Sequence, residues 1–200
     1  MSEATDITTS EDRERTVENL RTMIRGKVLS TLTKSARLEE SRIVEVENTD
    51  DFVYGHWMAF ILISGSSVRV TLKLHFSNRT AKIMLGNKVK NETDKDKLER
   101  ISMDFMKEQC NLMAGALKTT FNNSKIITGL SIPLVTRGFD EAVFSDKLDH
   151  GKINDVWRLT WGQEEGDVIC SSVTEVLQWS DFNGFSYEEV DEDDDEGVFL

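Results

Sequence analysis

The chain has 200 residues, of which 38% are apolar and 30% are charged, which suits one domain with an ordinary hydrophobic core. A net charge of −12 argues against binding to nucleic acid, and a single proline argues against a Pro-rich chain. The longest apolar run, Trp57 to Ile63, is too short to cross a bilayer, and the first residues lack the features of a secretory signal. We therefore expect a cytoplasmic protein that binds neither nucleic acid nor membranes.

The negative charge is concentrated at the end of the chain. Eight acidic residues lie between Glu188 and Glu196, so the first 187 residues carry a net charge of only −4. Such a run repels itself and is predicted to be disordered. Its simplest role is solubilising, and the alternatives are a nucleic-acid mimic or a steering arm for a basic partner. The predicted boundaries are a flexible N-terminus at 1–9, a domain at 10–181 and an acidic tail at 182–200.

The first predicted element is a helix that begins near Ser10 and ends near Ser35. Acidic residues in its first turn suit the positive end of the helix dipole. Its apolar residues recur at helical spacing and predict one core-facing stripe: Val17, Leu20, Ile24 and Val28.

Three strand-like runs follow this helix, over residues 43–47, 52–63 and 68–76. The last of them has the clearest alternation of apolar and polar residues in the chain, which predicts a strand with one buried face. Residues 64–67 are Ser-Gly-Ser-Ser and predict a hairpin turn between the last two strands.

Two helices are predicted in the middle of the chain. Asn78 is expected to cap a short helix from Thr80 to Leu85, which Gly86 ends, and residues 87–93 are expected to form a loop.

The second of these helices is the longer one. Thr93, Asp94 and Asp96 predict its start, because short polar side chains cap helices and acids are favoured in the first turn. It is predicted to run to about Phe121, where two asparagines follow.

Three more strands are predicted in the last third, over residues 126–135, 156–161 and 168–179, with a loop at 138–154. The order α-βββ-αα-βββ predicts an α+β domain, in which long helices pack on one face of a largely antiparallel sheet.

The long helix has two contrasting faces. Its core-facing residues are predicted to be Met106, Cys110, Met113, Leu117 and Phe121. The opposite, polar stripe consists of Asp104, Glu108, Asn111, Gly115 and Lys118. Glu108 and Asn111 are three residues apart and therefore point the same way from the helix. An acid and an amide held together in this manner suit the orientation of a water molecule or the docking of a polar partner, although such pairs are also common on solvated helix faces.

The sequence lacks the motifs of several common catalytic and ligand-binding sites. The sequence contains no glycine-rich phosphate loop, no nucleophile elbow and no metal-binding spacing of histidines and cysteines. His56, His75 and His150 are interpreted as surface or core residues, and Cys110 and Cys170 as reduced thiols that pack rather than pair. If the protein takes part in catalysis, the metal and the reactive group are therefore expected to belong to a partner.

The long helix and the segment after it resemble a known family. The helix contains Asp104, Glu108 and Asn111 in the order D-x3-E-x2-N, and Pro133 follows after 21 intervening residues. This pattern is similar to the signature of the chemotaxis phosphatases of the CheC/CheX/FliY family. A single copy of the helix resembles CheX more than CheC, which carries the signature twice. The resemblance extends over roughly residues 10–180, and the acidic tail has no counterpart in it.

The resemblance implies a function and a partner. The expected function is acceleration of aspartyl-phosphate hydrolysis on a phosphorylated CheY-like response regulator, which carries its own Mg²⁺, while this chain needs no cofactor. Asn111 would orient the attacking water and Glu108 would pair with the active-site lysine of the regulator. General base catalysis is a less favoured role for Glu108, because an exposed carboxylate beside a cation is a weak base. Asp104, Gly115 and Lys118 would contact the partner, and Pro133 would shape a strand edge.

Two other functions are compatible with the sequence. A non-catalytic module of the same fold would bind the regulator without hydrolysing its phosphate, and an unrelated α+β protein would carry the polar stripe by chance. The resemblance also implies a homodimer formed by sheet-edge pairing, either through residues 68–76 or through the strand pair at 156–179.

Overall fold

The computed structural model describes residues 9–46, 57–89, 91–138, 152–162 and 166–187. These ranges contain one sheet of seven strands in which every neighbouring pair is antiparallel. The strands are β1 (Arg42–Glu45), β2 (Trp57–Gly65), β3 (Val68–Phe76), β4 (Thr128–Leu130), β5 (Leu134–Arg137), β6 (Ile153–Trp161) and β7 (Gly166–Val176).

Within the described ranges, three α-helices pack against this sheet. They are α1 (Ser10–Ala36), α2 (Asn78–Leu85) and α3 (Lys95–Asn123), and two short 3-10 helices cover Gly86–Val89 and Trp179–Phe182. The predicted α+β class, with a largely antiparallel sheet and long helices, is confirmed. None of the helices in the described ranges is long and apolar enough to span a membrane.

The core lies between the helices and one face of the sheet. In β3 the side chains of Val68, Val70, Leu72 and Leu74 are fully buried, as the alternation predicts, and they alternate with more exposed polar residues. The buried stripe of α1 consists of Thr16, Leu20, Met23, Ile24, Val28 and Leu32. Val17, which was predicted to belong to this stripe, is only half-buried because the helix presents Thr16 to the core instead.

The sheet order is β1-β6-β7-β3-β2-β4, and β5 also pairs with β2. The strands predicted as dimer edges, at 68–76 and 156–179, are therefore interior, because each has a neighbour on both sides. Alternation of apolar and polar residues shows that one face of a strand is buried, but it does not show where the strand lies in the sheet. Edge pairing in a dimer stays a prediction, and among the described strands β1 and the side formed by β4 and β5 lie at the edges of the sheet.

The hairpin turn between β2 and β3 is confirmed at Ser66 and Ser67. Gly65 precedes the turn, and a Cβ atom at this position would collide with the carbonyl oxygen of Ile127. The glycine therefore allows the start of β4 to approach the end of β2, which places the C-terminal end of α3 beside the sheet edge.

Helix caps differ in detail from the prediction. Ser77, rather than Asn78, caps α2, because its Oγ accepts a hydrogen bond from the Thr80 amide at 3.0 Å and leaves Asn78 as the first helical residue. The predicted loop after α2 begins with the 3-10 turn Gly86–Val89. The predicted strand at 52–63 is confirmed from Trp57 onward, and its first five residues lie outside the described ranges.

The segment predicted as one strand at 126–135 forms two short strands, β4 and β5. Between them, the Ser131 amide donates to the Leu62 carbonyl at 2.9 Å, and the Ser131 hydroxyl accepts from the Leu62 amide at 3.0 Å. Pro133 has no amide proton to continue the ladder, so pairing is interrupted there. As a result the Ile132 side chain is 79% exposed.

The domain extends past the predicted boundary at Asp181. Phe182 and Phe185 are buried in the core and contact each other edge to face, with ring centroids 5.4 Å apart. Asn19 of α1 donates to the Phe185 carbonyl at 3.1 Å. The start of the tail predicted at residue 182 is therefore too early, because two aromatic residues without helical or strand periodicity complete the core; residues 188–200 lie outside the described ranges.

Candidate functional site

The candidate site lies in the middle of α3, whose start is fixed by side-chain capping. The Asp94 carboxylate accepts hydrogen bonds from the amides of Asp96 and Lys97, at 3.0 and 3.2 Å. Lys97 also forms an ion pair with Glu92, with 2.6 Å between Nζ and Oε2. Thr93, predicted to contribute to the cap, lies one residue further out, since Asp94 occupies the capping position.

The apolar side of α3 is buried as the sequence predicts. All five predicted core-facing side chains are fully buried against the sheet and the neighbouring helices: Met106, Cys110, Met113, Leu117 and Phe121. Burial of this stripe determines which side of the helix faces the core. The opposite stripe must therefore face solvent, which is a consequence of the packing and not only of the polar character of its residues.

Glu108 and Asn111 are both exposed on this outer stripe. The described part of the chain supplies neither side chain with a hydrogen bond or an ion pair. Their carboxylate and carboxamide groups are thus available to another molecule, while the helix that carries them is held by the core. An acid and an amide with these properties are suited to contact a cation and a water molecule on a partner surface.

The other three predicted site residues have different environments. Asp104 is exposed and forms an ion pair with Lys107, with 2.6 Å between Oδ1 and Nζ. Gly115 and Lys118 are half-buried. A Cβ atom built at Gly115 has no neighbouring heavy atom within 4 Å outside its own helix, so the absence of a side chain there is not required by packing within the chain.

The comparisons with known proteins agree with this architecture. Residues 57–152 match the family model described as "Chemotaxis phosphatase CheX". This stretch includes the whole of α3 and Pro133. No curated protein sequence matches the chain.

Solved structures of several chemotaxis proteins have the same fold as this chain. CheX from Vibrio vulnificus aligns with a TM-score of 0.54 and 16% identity, over 76% of this chain and 96% of the other. A chemotactic CheC-like protein from Shewanella oneidensis MR-1 aligns with a TM-score of 0.56 and 14% identity, over 78% and 98%. The complex of CheX with CheY, BeF3 and Mg²⁺ from Borrelia burgdorferi gives a TM-score of 0.58 and 12% identity, over 80% and 99%.

The match to the CheX family model covers residues 57–152, and the fold of the chain is that of CheX and CheC-like proteins. The description of the matched family supports phosphatase activity in general terms. The polar stripe of α3 lies inside the matched stretch, on the solvent side of the domain.

One residue beside the stripe was not predicted. Leu112 follows Asn111 directly and its side chain is 41% exposed, although it is a large apolar residue. It lies one helical turn after Glu108 and therefore flanks the polar pair. An exposed leucine on an otherwise polar helix surface is a signal that the sequence contained, but helical periodicity alone does not distinguish it from a residue at the border of the core.

A second residue that sequence reasoning missed is Gln109, which is buried between α3 and α1 and is 2% exposed. Its Oε1 accepts a hydrogen bond from the Ser35 hydroxyl in the last turn of α1. Its place between Glu108 and Cys110 gave no indication that an amide would be buried there.

The remaining polar candidates do not form a second site in the described ranges. No group of three or more His, Cys, Asp or Glu side chains that could hold a metal ion is found there. His75 is buried in β3, whereas His56 and His150 lie outside the described residues. Cys110 and Cys170 are buried and unpaired with each other, as predicted, and burial raises the pKa of the Cys110 thiol to about 12.

Proposed function

We propose that this protein accelerates hydrolysis of the aspartyl phosphate on a CheY-like response regulator by inserting the outer stripe of α3 into the phosphorylated pocket. The observation that carries the proposal is the pair Glu108 and Asn111, both exposed and without partners among the described residues, on a helix fixed by its buried side. The match of residues 57–152 to the family model described as "Chemotaxis phosphatase CheX" supports the reaction. The complex of the Borrelia burgdorferi CheX with CheY supports the class of partner.

Asn111 is proposed to orient the attacking water. Hydrolysis of an acyl phosphate is mainly a problem of positioning and electrostatics, because the phosphoryl group passes through a loose transition state. A carboxamide accepts or donates a hydrogen bond without changing its protonation state, so it holds the water in line with the scissile bond throughout the reaction. The exposed amide of Asn111 has both groups available for this purpose.

Glu108 is proposed to dock against the active-site lysine of the regulator. A charge-assisted hydrogen bond between carboxylate and ammonium would set how deeply the helix enters the pocket. The Mg²⁺ ion is expected to be held by the regulator, whose phosphoryl group it would neutralise. The chain acts in the cytoplasm in this proposal, where such a regulator would meet it.

The residues around the pair are proposed to form the rim of the contact. Asp104 is exposed and is held by its ion pair with Lys107. Lys118 adds a positive charge, and Gly115 allows the partner backbone to approach the helix closely. Leu112 adds an apolar contact that excludes water from the edge of the polar pair.

The first experiment measures the decay of a phosphorylated CheY-type regulator, prepared with acetyl phosphate, in the presence of each variant. Asn111→Ala is expected to lower the stimulated rate by about 10²-fold, by comparison with removal of one preorganised hydrogen-bonding group. Asn123→Ala is the matched control, since Asn123 is an exposed asparagine at the far end of the same helix. Equal rates for wild type and Asn111→Ala would remove Asn111 from the reaction. If the wild-type protein binds the phosphorylated regulator but does not accelerate loss of its phosphate, the protein is the non-catalytic module instead.

The second experiment tests the docking role of Glu108. Glu108→Gln keeps the shape of the side chain and removes the charge, so it is expected to weaken binding of the regulator with BeF3 bound as well as to lower the rate. The binding of wild type should also weaken with salt more steeply than that of the variant. Glu14→Gln, at an exposed position of α1, is the control. An unchanged affinity of Glu108→Gln would refute the docking role.

A further inference from the structure

A polar contact between a buried glutamine and a half-buried serine joins the two long helices close to the candidate site. Gln109 of α3 accepts a hydrogen bond from Ser35 of α1, and the Ser35 hydroxyl also lies 2.7 Å from the Thr31 carbonyl oxygen. The side chains on either side of Gln109 along the buried surface of α3 are apolar, including Met106, Cys110 and Met113. The amide therefore lies on a buried helix surface that is closed mainly by hydrophobic packing.

Packing energy alone does not account for a glutamine at this position. Removing an amide from water costs free energy that the hydrogen bond to Ser35 only offsets, whereas an apolar side chain of similar volume would bury its surface at no such cost. Buried polar pairs of this kind are best known for fixing the register of one helix against another, because only one arrangement satisfies both partners. Gln109 and Ser35 meet these conditions, since the bond links the last turn of α1 to the middle of α3.

We propose that the Gln109–Ser35 bond sets the rotation of α3 against α1 and thereby aims Asn111 at the reacting phosphoryl group. This inference rests on the proposed function, and it makes Gln109 a positioning residue that never touches the substrate. Gln109 and Asn111 are two residues apart and point to nearly opposite sides of the helix. The hydrogen bond thus anchors the inner side of α3 at the level where its outer side carries the working amide.

The expected effect follows from helix dimensions. Side-chain groups lie about 5 Å from the helix axis, so a roll of about 10° moves them by about 1 Å. A misplacement of about 1 Å can lower a rate by about 10²-fold, even when the change is far from the reacting atoms. Loss of the bond is therefore expected to affect the rate of the chemical step more than the affinity, which depends on the sum of many contacts.

Gln109→Met and Ser35→Ala test the inference, with decay of the phosphorylated regulator and binding of its BeF3 form as separate readouts. Each variant is expected to lower kcat by about 10-fold or more while Kd changes by about twofold or less. The double variant should be no slower than the slower single variant, because both remove the same bond. Ser35→Thr keeps the hydroxyl and is expected to restore most of the rate. Equal loss in kcat and affinity, additive single effects, or full activity of Gln109→Met would overturn the proposal.

Ser102→Ala is the matched control on the same helix. Ser102 is fully buried, and its hydroxyl has no hydrogen-bond partner within the described part of the chain, so its removal should leave kcat unchanged. A loss in this variant equal to that in Gln109→Met would show that any buried change on α3 lowers the rate and would overturn the specific role of Gln109.

A readout without turnover separates this inference from the proposed function. Spin labels at Glu14→Cys on α1 and Thr119→Cys on α3 report the helix arrangement, since both positions are exposed and both native cysteines are buried. Gln109→Met is expected to shift or broaden the distance distribution, and an unchanged distribution would refute the register role. If Asn111→Ala remains fully active, the proposed function fails, whatever the spin labels show, and the aiming of Asn111 fails with it.

Discussion

Gly115→Ala is expected to make the protein more stable and less active at the same time. Gly115 lies in the interior of α3, and a Cβ atom there has no heavy atom within 4 Å apart from its own helix. An alanine therefore fits the folded chain without strain. Glycine in a helix interior is less stable than alanine by roughly 0.5–1 kcal/mol, because its unfolded state has more conformational freedom. For a chain of this size, a gain of about 1 kcal/mol corresponds to about 2–4 °C in Tm.

The loss of activity would come from a poorer fit between α3 and the partner, and not from a change in the fold. Gly115 is one helical turn beyond Asn111 on the outer stripe, so a methyl group there lies between α3 and any backbone that approaches it. A separation increased by about 1 Å would move Asn111 out of line with the phosphoryl group and lower kcat/KM by about 10-fold or more. Thermal unfolding and decay of the phosphorylated regulator measure the two effects independently.

Gly129→Ala adds the same methyl group at an exposed glycine of β4, where the nearest heavy atom to a Cβ is 3.9 Å away, and it should leave the rate unchanged. A Gly115→Ala protein with raised Tm and full activity would show that no partner backbone comes close at this turn. A lowered Tm would instead show that the open space around Gly115 is not available to a methyl group.

Three further predictions concern binding and stability. Leu112→Ser should weaken binding of the regulator by about fivefold, which corresponds to about 1 kcal/mol for the lost burial of exposed apolar surface. The control Ile83→Ser, at an exposed position of α2, should leave binding unchanged, and titration with the BeF3-bound regulator measures both affinities. Burial raises the pKa of Cys110 from 9.0 to about 12, so above pH 9 the unfolded chain loses a proton that the folded chain keeps. The free energy of unfolding, followed by urea denaturation, should therefore fall by about 1.4 kcal/mol per pH unit for this thiol, and Cys110→Ala should flatten the slope. Asp155→Ala should lower the free energy of unfolding, measured by urea denaturation, by about 3 kcal/mol, because Arg25 loses a bidentate partner that is 7% exposed. The double variant with Arg25→Met should recover part of this loss of stability.

The sequence predicted most accurately what depends on local periodicity. The alternation over residues 68–76 gave the bounds of β3 without error, and the apolar spacing in α3 identified all five of its predicted buried residues. Prediction was poorer where a tertiary contact replaces local pairing. The segment around Ser131 and Pro133 has the composition of one strand, but its pairing with β2 is interrupted at Pro133, and Ser131 bonds to Leu62 through its side chain as well as its backbone.

The same distinction separates the parts of the candidate site. The spacing of Glu108 and Asn111 placed them on one side of a helix, since 3.6 residues per turn is a property of the backbone alone. Whether that side would face solvent depended on which other elements cover α3, and this is decided by the strand order and by the position of α1. Gln109 shows the limit most clearly, because its neighbours in sequence are a charged residue and a cysteine, whereas its partner Ser35 is 74 residues away in the chain. Periodicity and capping are local and can be read from consecutive residues, but burial of a polar side chain and the edges of a sheet are set by contacts between distant segments.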